Sequence, residues 1–266
     1  MRPIRIPPDI NRYWLLSSTD ADACLETKTQ YQRLNKGEPE VSVVIPAYNE
    51  ESNIVKTLLS LASNTTGRSV EIIVVDNNSK DRTAELIRTC GVGYVLETEQ
   101  GITPARNRGL REAKGKYILN ADADTLYPSH WIEAMTAPLA GNPDLALTYG
   151  RFSFIPVGST GRNTYFFYEY ITDMVRTVHR HIREEAVNVY GFNSGFRREQ
   201  GLAVDGFHHP PGTNEDGWLA LKLRNRGFGK LFYARAALVW TTDRRLQIDG
   251  GICKAVTKRI KRFFSR

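Results

Sequence analysis

The sequence predicts an α/β fold: a mostly parallel central sheet with helices on both of its faces. Three observations point there. Short apolar runs rich in β-branched residues recur between Val41 and Asn120, too short for helices. Segments with apolar residues at helical spacing separate them. Each apolar run gives out into polar residues at its C-terminal end. Such alternation builds parallel sheets covered on both faces, and ligands then bind beyond the carboxyl ends of the strands.

In chain order, residues 1–38 are proline-rich and polar, with an aromatic pair at Tyr13 and Trp14, and read as an N-terminal arm draped on a body spanning 39–250. EVSVVIPAY is the first strand; NEESNIVKTLLSLASNT is the first helix, with Ile54, Leu58, Leu61 and Ala62 at helical spacing. VEIIVVDNNS is a second strand ending in Asp76, and DRTAELIRTC a second helix. GYVLET, TPARNRGLREAKG and KYILNADA continue as strand, helix and strand. Beyond Pro128 the pattern changes, dividing the body into 39–128 and 129–250. YGRFSFIPVG reads as a strand, TYFFYEYITDMVRTVHRHIREEA as a long amphipathic helix, and NVYGFNSGFRREQ as a strand running into a turn. EDGWLALKLRNRG is a further helix, closed by Gly227 just past its end.

Composition excludes several classes. With 41% hydrophobic and 24% charged residues the chain of 266 is an ordinary globular one. No run of 18 apolar residues argues for a membrane-crossing helix, and prolines stand where a signal peptide needs an apolar core. Cys24, Cys90 and Cys253 show no metal spacing and read as reduced thiols, so a cytoplasmic setting is expected. The net charge of +7 belongs mostly to residues 251–266: Lys254, Lys258, Arg259, Lys261, Arg262 and Arg266 come without an acid, and the rest carries +1. That distribution argues against nucleic acid as a partner. In the same tail Val256, Ile260, Phe263 and Phe264 fall on one helical face opposite the bases. This pattern suits an anionic membrane surface, here the inner face of the plasma membrane, through 252–266; packing on the chain's own body is the other outcome.

ILNADADT, residues 118–125, puts two aspartates one residue apart at a strand end. On an extended chain their side chains point the same way, and paired carboxylates repel unless a cation lies between them. Asp122 and Asp124 therefore either hold a metal or decorate a turn. With Tyr48 and Asp76 they fall along one rim of the expected sheet.

VVIPAYNEE, IIVVDNNSKDRT, GITPARNRGL, GKYILNADADT and TNEDGWLALKL, in that order between about Val41 and Gly229, resemble the family 2 glycosyltransferases. These are inverting enzymes of the GT-A fold that use nucleotide-sugar donors. The resemblance implies a nucleotide-binding half at 39–128 and an acceptor half at 129–250. Pro46, Tyr48 and Glu50 match the motif around the nucleotide, where an aromatic can stack on the base; packing on the next helix is the other role open to Tyr48. Asp76 matches a carboxylate facing the base edge, with helix capping as its alternative. Arg106 matches a basic residue near the nucleotide or its phosphates, against a solvated helix face. Asp122 and Asp124 match the aspartate-any-aspartate motif. There Mn²⁺ or Mg²⁺ bridges the donor diphosphate, with Asp124 on the metal and Asp122 on ribose and metal together.

Asp216 matches the catalytic base that takes the acceptor proton, with helix capping by TNED as the structural alternative. Glu215 and Trp218 match acceptor-side positions. GFHHPPGTN departs from the family's acidic stretch and reads as a loop over the acceptor site. Asp243, Arg244 and Arg245 lie where relatives hold a metal or phosphate. No QxxRW-type motif follows the base, so addition of one sugar is expected rather than polymer synthesis, onto a sugar or lipid-linked acceptor. Two rivals remain: a nucleotidyltransferase, which would carry a glycine-rich basic loop where PAYNEE is acidic, and a non-catalytic membrane scaffold, which the presence of Asp124 and Asp216 argues against.

Overall fold

A computed structural model describes residues 2–17 and 20–248; the basic tail at 251–266 lies outside the described residues. The chain opens with two helices, α1 (Pro8–Trp14) and α2 (Ala21–Leu34), where the sequence suggested only an arm. Asp20 caps α2 by accepting from the backbone N–H groups of Asp22 and Ala23. Ile10, Tyr13, Cys24, Tyr31 and Leu34 carry both helices into the main core.

The expected alternation follows: β1 (Val41–Ala47), α3 (Ile54–Ala62), β2 (Val70–Asp76), α4 (Thr83–Thr89), β3 (Gly93–Leu96), α5 (Ile102–Glu112) and β4 (Tyr117–Asn120). Then come β5 (Thr125–Leu126), α6 (Trp131–Gly141), β6 (Leu145–Ile155) and α7 (Arg162–Ile182). A 3-10 turn (Glu185–Asn188), β7 (Ser194–Arg197), α8 (Arg198–Ala203), α9 (Glu215–Asn225), β8 (Lys230–Thr242) and α10 (Arg244–Ile248) complete the chain. Gly227, at φ +86, stands just past α9 as expected.

The eight strands form one sheet in the order β3-β2-β1-β4-β7-β6-β8-β5. β5 and β7 pair antiparallel with their neighbours and the other strands run one way. The sheet is therefore mostly parallel, as predicted. Alternate side chains of β1 separate the two cores: Val43 and Ile45 join the cluster under α1–α4, α6 and α7, whereas Val44 joins the one under α5 and α9.

Candidate active site

Strand ends build the rim. Ala47 at the end of β1 lies opposite Asp76 at the end of β2, and Asn120 at the end of β4 lies opposite Val44. Chain leaving these positions emerges at one edge of the sheet. Pro46 is buried in β1, while Tyr48 just beyond it is 50% exposed, so its ring does not pack under the following helix.

Asp76 behaves differently from the ligand-facing carboxylate the sequence suggested. It is buried, one oxygen accepting from the Ser79 N–H at 3.0 Å and the other from the Tyr94 hydroxyl at 3.1 Å. It orders the turn after β2. The capping role at α4 falls to Asp81, which accepts from the Thr83 N–H at 2.9 Å.

β4 stops at Asn120, so Asp122 and Asp124 lie in the turn past the strand rather than on its extended face. The alternation argument for a shared direction does not hold there, and each aspartate meets its own guanidinium. Asp122 pairs with Arg106 at 3.1 Å. Asp124 pairs with Arg244 at 3.2 Å, and the same Arg244 nitrogen donates to Glu50 at 2.8 Å. Two hydroxyls hold the turn: Thr57 of α3 donates to the Ala123 carbonyl, and Tyr127 accepts from the Asp122 N–H while donating to the Phe192 carbonyl.

Arg106 is neither on a solvated helix face nor out among ligands. Its side chain is 2% exposed and faces three carboxylates: Asp122, Glu215 at 3.7 Å and Asp216 at 3.6 Å. It also donates to the Gly191 carbonyl at 3.0 Å. Burial opposes its charge, but Asp216, Asp122 and Glu215 outweigh that and raise its pKa.

Asp216, in the first turn of α9, turns away from capping. One oxygen accepts from the Gly191 N–H at 2.7 Å, and Asn214 makes no side-chain cap bond. Its other oxygen, Oδ1, and Arg106 Nε are buried without a hydrogen-bond partner among the described residues. Burial pushes the Asp216 carboxyl up to about 7; Glu215 and Asp122 add to the rise, while Arg106 and the Gly191 N–H work against it. Gly191 is required by space: a Cβ there would lie 2.1 Å from Arg106 Nη2 and 2.3 Å from Asp216 Oδ1. Sequence reasoning missed Gly191, which stands 25 residues from Asp216 and 85 from Arg106 with no motif around it.

Glu215 shares the first turn of α9 with Asp216, and Trp218 sits half-buried on the same helix. The loop carrying His208 and His209 is tied down: Lys222 donates to the Gly206 and His208 carbonyls, and Asn107 accepts from the Phe207 N–H. The two histidines line a cleft of about 360 Å³ with Glu97, Glu99 and Arg111. Asp243 is taken up structurally, accepting from Val157 N–H and Tyr165 hydroxyl.

Among the described residues no three His, Cys, Asp or Glu side chains form a ready-made metal cage. The donor set nevertheless fits a hard divalent ion. Asp122, Glu215 and Asp216 face Arg106, and Glu50 and Asp124 face Arg244, so five carboxylates stand against two guanidiniums. Oxygen ligands with that excess of negative charge suit Mn²⁺ or Mg²⁺, which take remaining positions from phosphate or water.

A family model described as "Glycosyl transferase family 2" matches residues 42–200. Glycosyltransferase AglE of Haloferax volcanii is 34% identical over 135 residues, 48% of this chain and 44% of the relative. A dolichol-phosphate mannosyltransferase of Pyrococcus furiosus is 32% identical over 40% of this chain and 32% of its own length. The matched stretch thus spans less than half of either relative. Among solved structures, the mannosyltransferase PcManGT of Pyrobaculum calidifontis, in complex with GDP-Man and Mn²⁺, shares the fold. Its TM-score is 0.57 at 22% identity, covering 83% of this chain and 65% of that one.

Proposed function

The chain belongs to glycosyl transferase family 2, with the GT-A fold, and from that premise we propose that it transfers a single sugar from a nucleotide-sugar donor to an acceptor hydroxyl, inverting the anomeric carbon. The observation that carries this is the buried Asp216 carboxylate, with one oxygen held by the Gly191 N–H and the other facing Arg106 at 3.6 Å with no hydrogen bond among the described residues. In an inverting displacement the acceptor oxygen bonds to the anomeric carbon as the bond to the diphosphate breaks. The electron pair leaves with the nucleoside diphosphate, and the proton goes to Asp216 Oδ1. A carboxylate raised to about 7 is a better proton acceptor near neutrality than an ordinary one. Glu215 and Trp218, on the same first turns of α9, border the acceptor.

On the donor side, Tyr48 offers an exposed ring for stacking on the base, next to Pro46 and Glu50. Asp76 supports that floor through the turn it orders. Arg106 keeps Asp122 and Asp216 in fixed relation. Asp122 and Asp124 would hold Mn²⁺ or Mg²⁺, which would stabilise charge on the departing diphosphate. Residues 39–128 then form the donor half and 129–250 the acceptor half. The dolichol-phosphate relative supports a lipid-linked acceptor.

The test is release of nucleoside diphosphate from a panel of nucleotide sugars with Mn²⁺, before and after EDTA. Asp216→Asn should keep donor binding by calorimetry and lose transfer by roughly 10²–10⁴-fold. Wild-type transfer should rise with pH through about 7 as Asp216 ionises. Stability should move oppositely. A folded-state pKa above the ordinary 3.8 gives a contribution that is full below that value and lost as pH rises through about 7. Donor binding lost in Asp216→Asn would make the residue structural, and turnover untouched by EDTA would remove the metal.

A further inference from the structure

α7 is docked inside out. Of its 21 residues only Tyr165, Tyr168, Glu169 and Thr172 are buried. Tyr165 and Tyr168 reach the main core, and Arg2 ties the helix to the body through Glu169 and through Asp173 at 2.5 Å, while Arg162 and Arg176 of α7 itself brace the same two carboxylates. Phe154 donates its N–H to Glu169, and Asn188 donates to the Arg176 carbonyl. The apolar stripe points the other way, with Phe167, Tyr170, Ile171, Met174 and Ile182 each 59–77% exposed.

We propose that this outward face of α7 is an interfacial helix that seats the protein on an anionic lipid surface. Three observations select that partner. The only acids of α7, Glu169 and Asp173, are enclosed by guanidinium groups, whereas His181 and Arg183 at its C-terminal end and Arg235 on the adjoining strand are exposed. Glu184 and Glu185, just past the helix, pair with Arg224 and Arg180, so the exposed face is apolar and edged by basic groups, the pairing that anionic headgroups select. Second, the chain leaves the described fold beside α7, where Tyr165 donates to Asp243 at 2.5 Å just before α10. From there it runs into the stretch 254–266, with six Lys or Arg and no acid. The composition of that stretch suits the same anionic surface. Third, no helix among the described residues is long and apolar enough to cross a membrane, so α7 lies along the surface for about 31 Å at 1.5 Å per residue.

The consequence for the acceptor rests on the transferase function proposed above. α7 runs directly into the 3-10 turn and then Gly191, whose N–H holds Asp216. A helix lying in the headgroup layer therefore brings the base close to a lipid-linked hydroxyl or phosphate.

The full chain is sedimented with vesicles of phosphatidylcholine alone or mixed with phosphatidylglycerol. The wild type and Ile171→Leu/Met174→Leu should bind the mixed vesicles. Ile171→Glu/Met174→Glu should bind them roughly tenfold more weakly or worse, since it removes buried apolar area and adds two negative charges. All three keep residues 251–266, so the loss is assigned to α7. Both side chains are exposed, so folding is checked by an unchanged melting temperature. Unaltered binding of the Glu variant would overturn the proposal in favour of attachment elsewhere. A wild type that ignores both vesicles, and sediments as a dimer that the Glu variant splits, would overturn it in favour of a second copy. Release of nucleoside diphosphate without vesicles is measured alongside; its failure would sink the transferase function and leave the lipid contact standing.

Discussion

α3 and α7 are both amphipathic helices flanking the same sheet, and they use that property in opposite senses. α3 buries eight of its nine residues, with Ile54, Val55, Leu58, Leu59, Leu61 and Ala62 in the main core. α7 turns most of its apolar stripe outward and, beside Tyr165 and Tyr168 in the main core, is tied to the body by Arg2 through Glu169 and Asp173. Each supports one side of the candidate site. Thr57 of α3 holds the Asp122–Asp124 turn through the Ala123 carbonyl, while α7 leads through the 3-10 turn to Gly191 and so to Asp216. The donor side thus rests on apolar packing, and the acceptor side adds to a smaller apolar contact the buried charge of Arg2. A helical stripe in a sequence says that one face prefers low polarity; it does not say whether the body or a surface outside supplies it.

The sharpest way to break the acceptor side is Gly191→Ala. A Cβ at 2.1 Å from Arg106 and 2.3 Å from Asp216 leaves no space for both groups. Transfer, read as nucleoside diphosphate release, should fall by roughly 10²–10⁴-fold, the scale of a lost general base, and donor affinity by calorimetry should weaken as well, because the displaced Arg106 nitrogen is the one that holds Asp122. Full activity would mean that the Arg106–Asp216 contact is not the working arrangement.

Next in size, Glu169→Gln should cost about 3–5 kcal/mol in urea unfolding, because it strands buried Arg2 and Arg162 without their counter-charge. High salt should narrow the gap to wild type if charge is what fastens α7. A cost below about 1 kcal/mol, typical of surface pairs, would return α7 to ordinary packing. Leu58→Ala in α3 should cost about 2–5 kcal/mol through the cavity it leaves. Salt should not alter that difference; equal salt sensitivity in the two variants would erase the contrast between the helices.

Much of the first half is legible in sequence because its signals are local. β1, β2, β3 and β4 are short runs dominated by apolar residues, and α3, α4 and α5 fall between them at helical spacing. α6 is not legible: Pro138 stands inside it and reads as a break. In α2 the buried stripe includes Ala23, Cys24, Thr27 and Tyr31, too small or polar to stand out. β8 escapes because its pairing with β6 shifts register between Tyr149 and Arg151, which scrambles the alternation of inward and outward residues.

By itself, the sequence determined the α/β class, the order of the strand–helix units and the carboxylates that reach the rim, since periodicity and strand-end chemistry act over a few residues. Tertiary structure decided what those carboxylates meet. It turned Asp76 inward onto Ser79 and Tyr94, and gave Asp122 and Asp124 separate guanidiniums. It brought Gly191 against Asp216 and faced α7 outward. Apart from the local Asp76–Ser79 bond, these outcomes are settled by groups far apart in the chain competing for one buried volume. Desolvation and charge depend on that volume, and no window of neighbouring residues contains it.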